Sequence, residues 1–230
     1  LTAALTAFGV TRLFDIAPTR FAIEAPALSA DLLWRVAVLG IACAVMSIIF
    51  CEVMHKGERL ISKSLRNPYL RAVVGGFVII ALTYICGTTD YNGAGTAVIA
   101  RAITEGEVRP AAFALKLVFT AVTLGCGFRG GEVVPTFFIG ATLGCVLGPL
   151  LGIPAGFAAA VGLVALFCGA VNCPVASMVL AIELFGSGGL MYFAVACAIS
   201  YMLSGYTGLY SSQKIMYSKL RAEFIDIHAK

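Results

Sequence analysis

The stretch from Gly125 to Pro149, GCGFRGGEVVPTFFIGATLGCVLGP, joins a glycine-rich turn carrying a single acid to a run without any charge. From Val133 to Gln213 the only charged side chain is Glu183, so Glu132 stands at the mouth of a long segment that water does not solvate. Around it the chain is 60% hydrophobic and 12% charged, with a mean hydropathy of +0.96. A soluble domain carries roughly twice that charged fraction, so the composition points to a polytopic integral membrane protein. With about 20 apolar residues per span, and fewer for partial spans, 230 residues accommodate eight to ten membrane-embedded helices in one domain.

The chain opens on Leu1 with an apolar segment to Val10 that no basic stretch precedes, which reads as a fragment lacking earlier membrane segments. A polar connection with Pro18 and Pro26 leads to a helix from about Asp31 to Met54, capped by Ser29 or Asp31. It ends at a basic connection holding Lys56, Arg59, Lys63, Arg66 and Arg71. Asn67 then caps a helix that Pro68 opens and that runs to about Cys86. After the turn GTTDYNGAG, a short helix covers about Thr96 to Thr104, and Pro110 opens another through Leu124. Pro135, Pro154 and Pro174 each occupy a first helical position, Asn172 capping the third of these helices, and Gly188 and Gly189 precede a helix from Leu190 to Leu203.

Several of these helices are too short to cross a bilayer upright. Their ends must then lie at membrane depth, where free backbone groups are hidden in protein or in a wet cavity because lipid cannot satisfy them. Broken, tilted helices with N-termini aimed at an anion are a recurring device of secondary transporters. Gly140, Gly144 and Gly148 share one helix face and predict close approach of a neighbouring helix, and Pro149 is expected to end their own.

The eight cysteines show no CxxC spacing and sit mostly in apolar runs, so neither metal nor disulfide is expected, and no other cofactor. The net charge of +4 gathers at membrane edges rather than in a nucleic-acid patch. By the positive-inside rule the connection 56–71 and the C-terminus are cytoplasmic, where His55 and His228 are expected to be solvated.

Two glycines at Gly130 and Gly131 permit a tight turn, Glu132 to Val134 present successive N–H groups, and Pro135 has none of its own. This is an anion site of the helix-N-terminus type, with uncharged donors that hold an anion without trapping it. An ionised Glu132 is repelled by a bound anion and penalised by desolvation, which favours its neutral form as a hydrogen-bond donor or proton relay. Pairing with Arg129 or capping a nearby helix is the structural alternative. An intramembrane hydrolase would need a base: Ser187 lacks a histidine in any apolar segment, and Asp90 beside Tyr91 lacks an acidic partner. No enzyme activity is expected. A scaffold without transport has no need of charge-free broken helices aimed at one point.

GFRGGEVVPTFFIGATLG resembles the second anion-binding motif of the CLC chloride channel and transporter family, where Gly-x-Phe-x-Pro opens a helix aimed at the central ion. NCPVASMVLAIELFG is similar to the family's proline-opened helix at the dimer interface, and GLYSSQKI to its final helix, which supplies a tyrosine hydroxyl. The resemblance covers nearly the whole chain but only the second inverted half of a subunit, so residues 1–230 are expected to form the C-terminal half of a CLC-type transport domain. Residues 205–230 would be its final helix and a short cytoplasmic tail. Gly131, Glu132, Val133 and Val134 would then hold a halide together with Tyr210, and Glu132 is the proton-coupling candidate. Helices at about 155–203 would supply a homodimer surface, with Glu183 a hydrogen-bonded structural acid near it, the alternative for this acid being a proton carrier. The gating glutamate, the serine ligand and the inner proton glutamate belong to the missing N-terminal half.

Val133 stands where the family has an aromatic, and Glu132 where chloride proteins mostly have an aliphatic residue. GGEVVP is similar to the fluoride-exporting branch, with Val134 replacing a common threonine. The implied activity is fluoride/proton antiport, the alternative within the class being a chloride channel or chloride/proton exchanger. Fluoride is strongly hydrated and a good acceptor, so several close donors suit it.

Overall fold

A computed structural model describes residues 2–16, 19–221 and 223–229, so that Pro18 of the first connection lies outside the described residues. Among these, nine helices and one small hairpin form: α1 (Thr2–Leu13), α2 (Ala30–Ser64), α3 (Pro68–Cys86), α4 (Thr96–Thr104), α5 (Ala112–Gly125), α6 (Val133–Leu150), α7 (Ala155–Val171), α8 (Pro174–Phe185), α9 (Leu190–Leu203), β1 (Lys214–Tyr217) and β2 (Phe224–His228). Among the described residues only α2, α3 and α6 are long and apolar enough to cross a membrane by themselves. The remaining apolar helices, α5, α7, α8 and α9, have 12 to 17 residues. The expected all-α membrane architecture of long and broken helices is therefore the observed one.

The centre of the fold is the pair α6 and α7. A Cβ on Gly140 would overlap the Gly162 carbonyl oxygen, and one on Gly144 would overlap that of Ala158. The stripe read from the sequence is thus a backbone-to-backbone contact, which small residues alone permit. Around this pair α2 and α9 pack on α7, burying Val36, Leu39, Cys43, Phe50, Leu166, Phe193 and Ala196. Arg35 of α2 donates through Nη1 to the carbonyls of Leu151 (3.1 Å) and Gly152 (3.3 Å), a cation placed where α6 ends and its dipole is negative. The linker before α2 is fastened by Tyr192, whose hydroxyl donates to the Ala27 carbonyl (2.7 Å) and accepts from the Ser29 amide (3.1 Å).

Helix boundaries follow local chemistry where a capping side chain is decisive. Ser29 accepts from the Leu32 amide to open α2, and Asn67 accepts from Tyr69 ahead of Pro68 to open α3. Elsewhere the expectations need correction. Helix α2 does not stop near Met54 but runs on through the basic residues to Ser64, because Lys, Arg and Glu are good helix formers and Glu52 pairs with Lys56 one turn later. Pro110 lies inside a turn that the Ala112 amide closes on the Arg109 carbonyl (2.9 Å), so that α5 starts at Ala112. Pro154 caps α7 from outside it, and Pro149 sits inside the last turn of α6, which ends at Leu150.

Asn172 does not cap α8. It closes α7 in the left-handed conformation (φ 57°), and Cys173 precedes Pro174 at the start of α8. The final helix expected over 205–230 is not formed among the described residues of that range either. Glycines and serines break the chain at Gly205, Gly208, Ser211 and Ser212, and the strands beyond pair antiparallel with Lys214 opposite His228 and Ile215 opposite Ile227. Phe224 to His228 alternates exposed with half-buried residues, which is a strand's period rather than a helix's.

Candidate functional site

The α6 helix opens two residues earlier than the proline suggested. Glu132 is its N-cap, Val133 and Val134 form its first turn, and Pro135 is the third helical residue. The first intrahelical donor is Thr136, whose amide reaches the Glu132 carbonyl at 3.3 Å. Amides at a helix start have no intrahelical acceptor. Since Pro135 carries no N–H, the free donors are those of Glu132, Val133 and Val134, and none of the three meets another protein acceptor among the described residues. These are the amides picked out from the sequence.

The turn before them is made differently from the expectation. Neither Gly130 nor Gly131 has a positive φ, and a Cβ on Gly131 would meet open space, so nothing local requires glycine there. The left-handed residue is Gly127 (φ 88°), which turns the chain out of α5 against the Arg71 side chain. Arg129 is exposed, and no ion pair joins it to Glu132 among the described residues. Glu132 instead lies within electrostatic reach of His55 and Glu58 on α2.

His55 is not the solvated surface residue expected. It is half-buried, and its Nε2 is 3.2 Å from the Leu209 carbonyl oxygen. Leu209 in turn donates its amide to the Ala170 carbonyl (2.9 Å). The segment bearing Tyr210 is therefore tied to the α2 face that Glu132 approaches. The Tyr210 hydroxyl has no hydrogen bond among the described residues, and the residue is 42% exposed. Glu183 also departs from expectation: it sits on the exposed face of α8 without a hydrogen-bond partner among the described residues, since its neighbours Val175, Val179 and Ile182 are apolar and equally exposed.

Beside the α6 start a cavity of about 480 Å³ reaches from Gly131 and Val134 to the turn at Tyr91 to Ala94. Its far end holds Lys116 of α5, a residue that the sequence reading passed over. The ammonium donates to the carbonyls of Tyr91 (3.1 Å) and Gly93 (2.5 Å) and lies 5.0 Å from the centroid of Phe138. A lone lysine inside an otherwise apolar helical run was the available signal, because such a charge is seldom placed at membrane depth without use.

A helix start with three free backbone donors, set among apolar helices both long and too short to span a bilayer alone, fits a membrane protein of the ion-transport class. The chain belongs to the voltage gated chloride channel family, whose pattern it matches over residues 1–205. It is 38% identical over 196 residues to a chloride/fluoride channel protein of Pseudomonas syringae pv. tomato, covering 81% of this chain and 43% of that one. Its fold is similar to that of a CLC-type fluoride/proton antiporter of known crystal structure, with a TM-score of 0.85 and 28% identity, over 90% of this chain and 53% of the other. A slow cyanobacterial Cl⁻/H⁺ antiporter shares the fold more distantly, with a TM-score of 0.66 and 20% identity over 81% of this chain and 46% of the other. The chain spans about half the length of the relatives that it matches.

Proposed function

We propose that this chain supplies one half of a membrane anion transporter that exchanges fluoride for protons. The observation that carries the reading is the α6 start, where three consecutive amides are free and the carboxyl of Glu132 belongs to the same turn. Amide donors stabilise a dehydrated anion without the full charge that would hold it in place. A carboxyl beside them changes its affinity for a proton when the anion arrives or leaves, which couples the two ions at one location.

Fluoride rather than chloride is supported by Glu132 itself, since a neutral carboxyl is a strong donor to a small acceptor ion, and by the likeness to a chloride/fluoride channel protein and to a fluoride/proton antiporter. The family's own description as chloride channels supports the second reading, chloride transport. Tyr210 completes the anion shell in this proposal, moving onto the α6 start once a complementary membrane half of the same subunit packs against it. Two copies associate through the exposed face of α8, and the basic connection and C-terminus face the cytoplasm.

The test is efflux of fluoride and of chloride from vesicles containing the protein together with its complementary half, before and after Glu132→Gln. Fluoride should leave faster than chloride, and the substitution should slow proton-coupled fluoride efflux by at least about tenfold. Chloride leaving as fast as fluoride would remove the fluoride assignment. An unchanged proton-coupled rate would remove Glu132 from the coupling.

A further inference from the structure

Lys116 is 1% exposed, the one fully buried charge among the described residues. Its bonded partners are carbonyl oxygens, not a carboxylate, so its charge is uncompensated among the described residues. An ammonium has three donors, and two are taken. A buried cation without a counter-charge is costly unless water or an anion shares its surroundings. The cavity described above provides that space.

Lys116, Thr120 and Thr123 line the cavity at i, i+4 and i+7 along one face of α5, a length of about 10 Å. The threonine hydroxyls donate back to their own helix, to the carbonyls of Lys116 (2.8 Å) and Phe119 (2.7 Å), which leaves their lone pairs for water. Arg129, itself exposed, also lines it, and no aspartate or glutamate among the described residues contributes to the wall. The lining therefore carries charge of one sign, from an exposed arginine to a buried lysine, and includes Val134, one of the three free-amide residues of the α6 start.

We propose that this cavity is a water-filled antechamber for a small inorganic anion, in which Lys116 attracts the hydrated ion and holds it beside the α6 start before it is stripped of water. The inference rests on the anion reading of that helix start. Lys116 acts through its field and through the water around its third proton, and its two carbonyl bonds prevent it from following the ion.

The test is thiol labelling of the full chain carrying Thr123→Cys. The rates of modification by the anionic sulfonatoethyl and the cationic trimethylammonioethyl methanethiosulfonates are compared, each relative to its rate with a free thiol and corrected for the native cysteines in the unsubstituted chain. A single-sign cleft should favour the anionic reagent by at least about tenfold at low salt. Added sodium chloride should reduce the preference, and sodium fluoride should slow labelling. Lys116→Arg should keep the preference and Lys116→Met should abolish it. Should Lys116→Met fail to fold, the salt and fluoride dependence in the lysine-bearing chain decides. An unreactive thiol at position 123, or equal relative rates for the two reagents, overturns the proposal. Labelling requires no transport, so its failure is distinguishable from failure of the efflux test on Glu132.

Discussion

Asn172 ends α7 by adopting a left-handed backbone and then uses its side chain twice. Its Nδ2 donates to the Thr207 carbonyl (2.9 Å), and its Oδ1 accepts from the Lys219 ammonium. Lys219 donates as well to the Tyr201 carbonyl (2.9 Å) and the Ser204 hydroxyl (3.1 Å), so that it closes α9 and fastens the hairpin. Replacing Asn172 by alanine should lower stability in detergent by about 1–3 kcal/mol, since the left-handed backbone and the lost bonds both contribute. Glycine at this position should recover the backbone part, which thermal unfolding of the two variants would separate. Burial pushes the Lys219 ammonium down to about 8 from 10.5. The released tail therefore binds more protons than the docked tail between these values, and docking strengthens as pH rises from about 8 toward 10.5. Protease protection of residues 214–221 should increase over that window; a decrease would show that the charged bonds outweigh desolvation. The sequence marked Asn172 as a helix-boundary residue, but asparagine suits either end of a helix. Only the carbonyl of Thr207, 35 residues away, decides which helix it serves.

At the scale of elements, the contact of α6 with α7 tolerates no side chain at its centre. Gly144→Val should force the two helices apart and cost about 1–3 kcal/mol or more, whereas Gly131→Ala, which meets open space, should be nearly neutral. Circular dichroism during thermal unfolding would measure both. This contact was legible because a four-residue glycine period has one simple physical use. The limits of α4 and α9 were equally legible, fixed by Gly95 and Gly189 and by the ends of their apolar runs. The end of α2 was not, because its basic turns satisfy both a helix and a connection, and hydropathy alone cannot distinguish a helix leaving the membrane from one that stops there. The hairpin at 214–228 was missed for a related reason. Resemblance over GLYSSQKI outweighed a strand-like alternation that begins only at Phe224.

For the whole molecule, the positive clusters predict its orientation. Single cysteines replacing Lys63 and Lys214 should both be labelled from the cytoplasmic side by an impermeant thiol reagent, and one replacing Thr88 only from the other side. Labelling at positions 63 and 88 from the same side would contradict a membrane crossing by α3. The class of protein could be read from the sequence because hydropathy and a succession of apolar runs too short to span a bilayer are global signals. The partnership of His55 with Leu209, 154 residues apart, and the burial of Lys116 against the turn at Gly93 could not be, since nothing local announces a long-range contact.

Helix α3 buries a single residue, Gly75, against Cys126, where an added Cβ would overlap that of the cysteine. Its 19 residues span about 28 Å, close to the thickness of a bilayer's hydrocarbon core. Its other ties are half-buried Ile79 and Leu82 and, near its end, the bonds of Thr83 with Asn92 and of Arg109 with the Cys86 carbonyl, while Leu70, Val73, Phe77, Ile80 and Ile85 are exposed. Such a thinly held outrigger is responsive to hydrophobic mismatch. Thinner or thicker membranes change its tilt before they disturb the α6 and α7 pair, so the choice of lipid chain length becomes a way to move the turn that holds Lys116 without altering a residue.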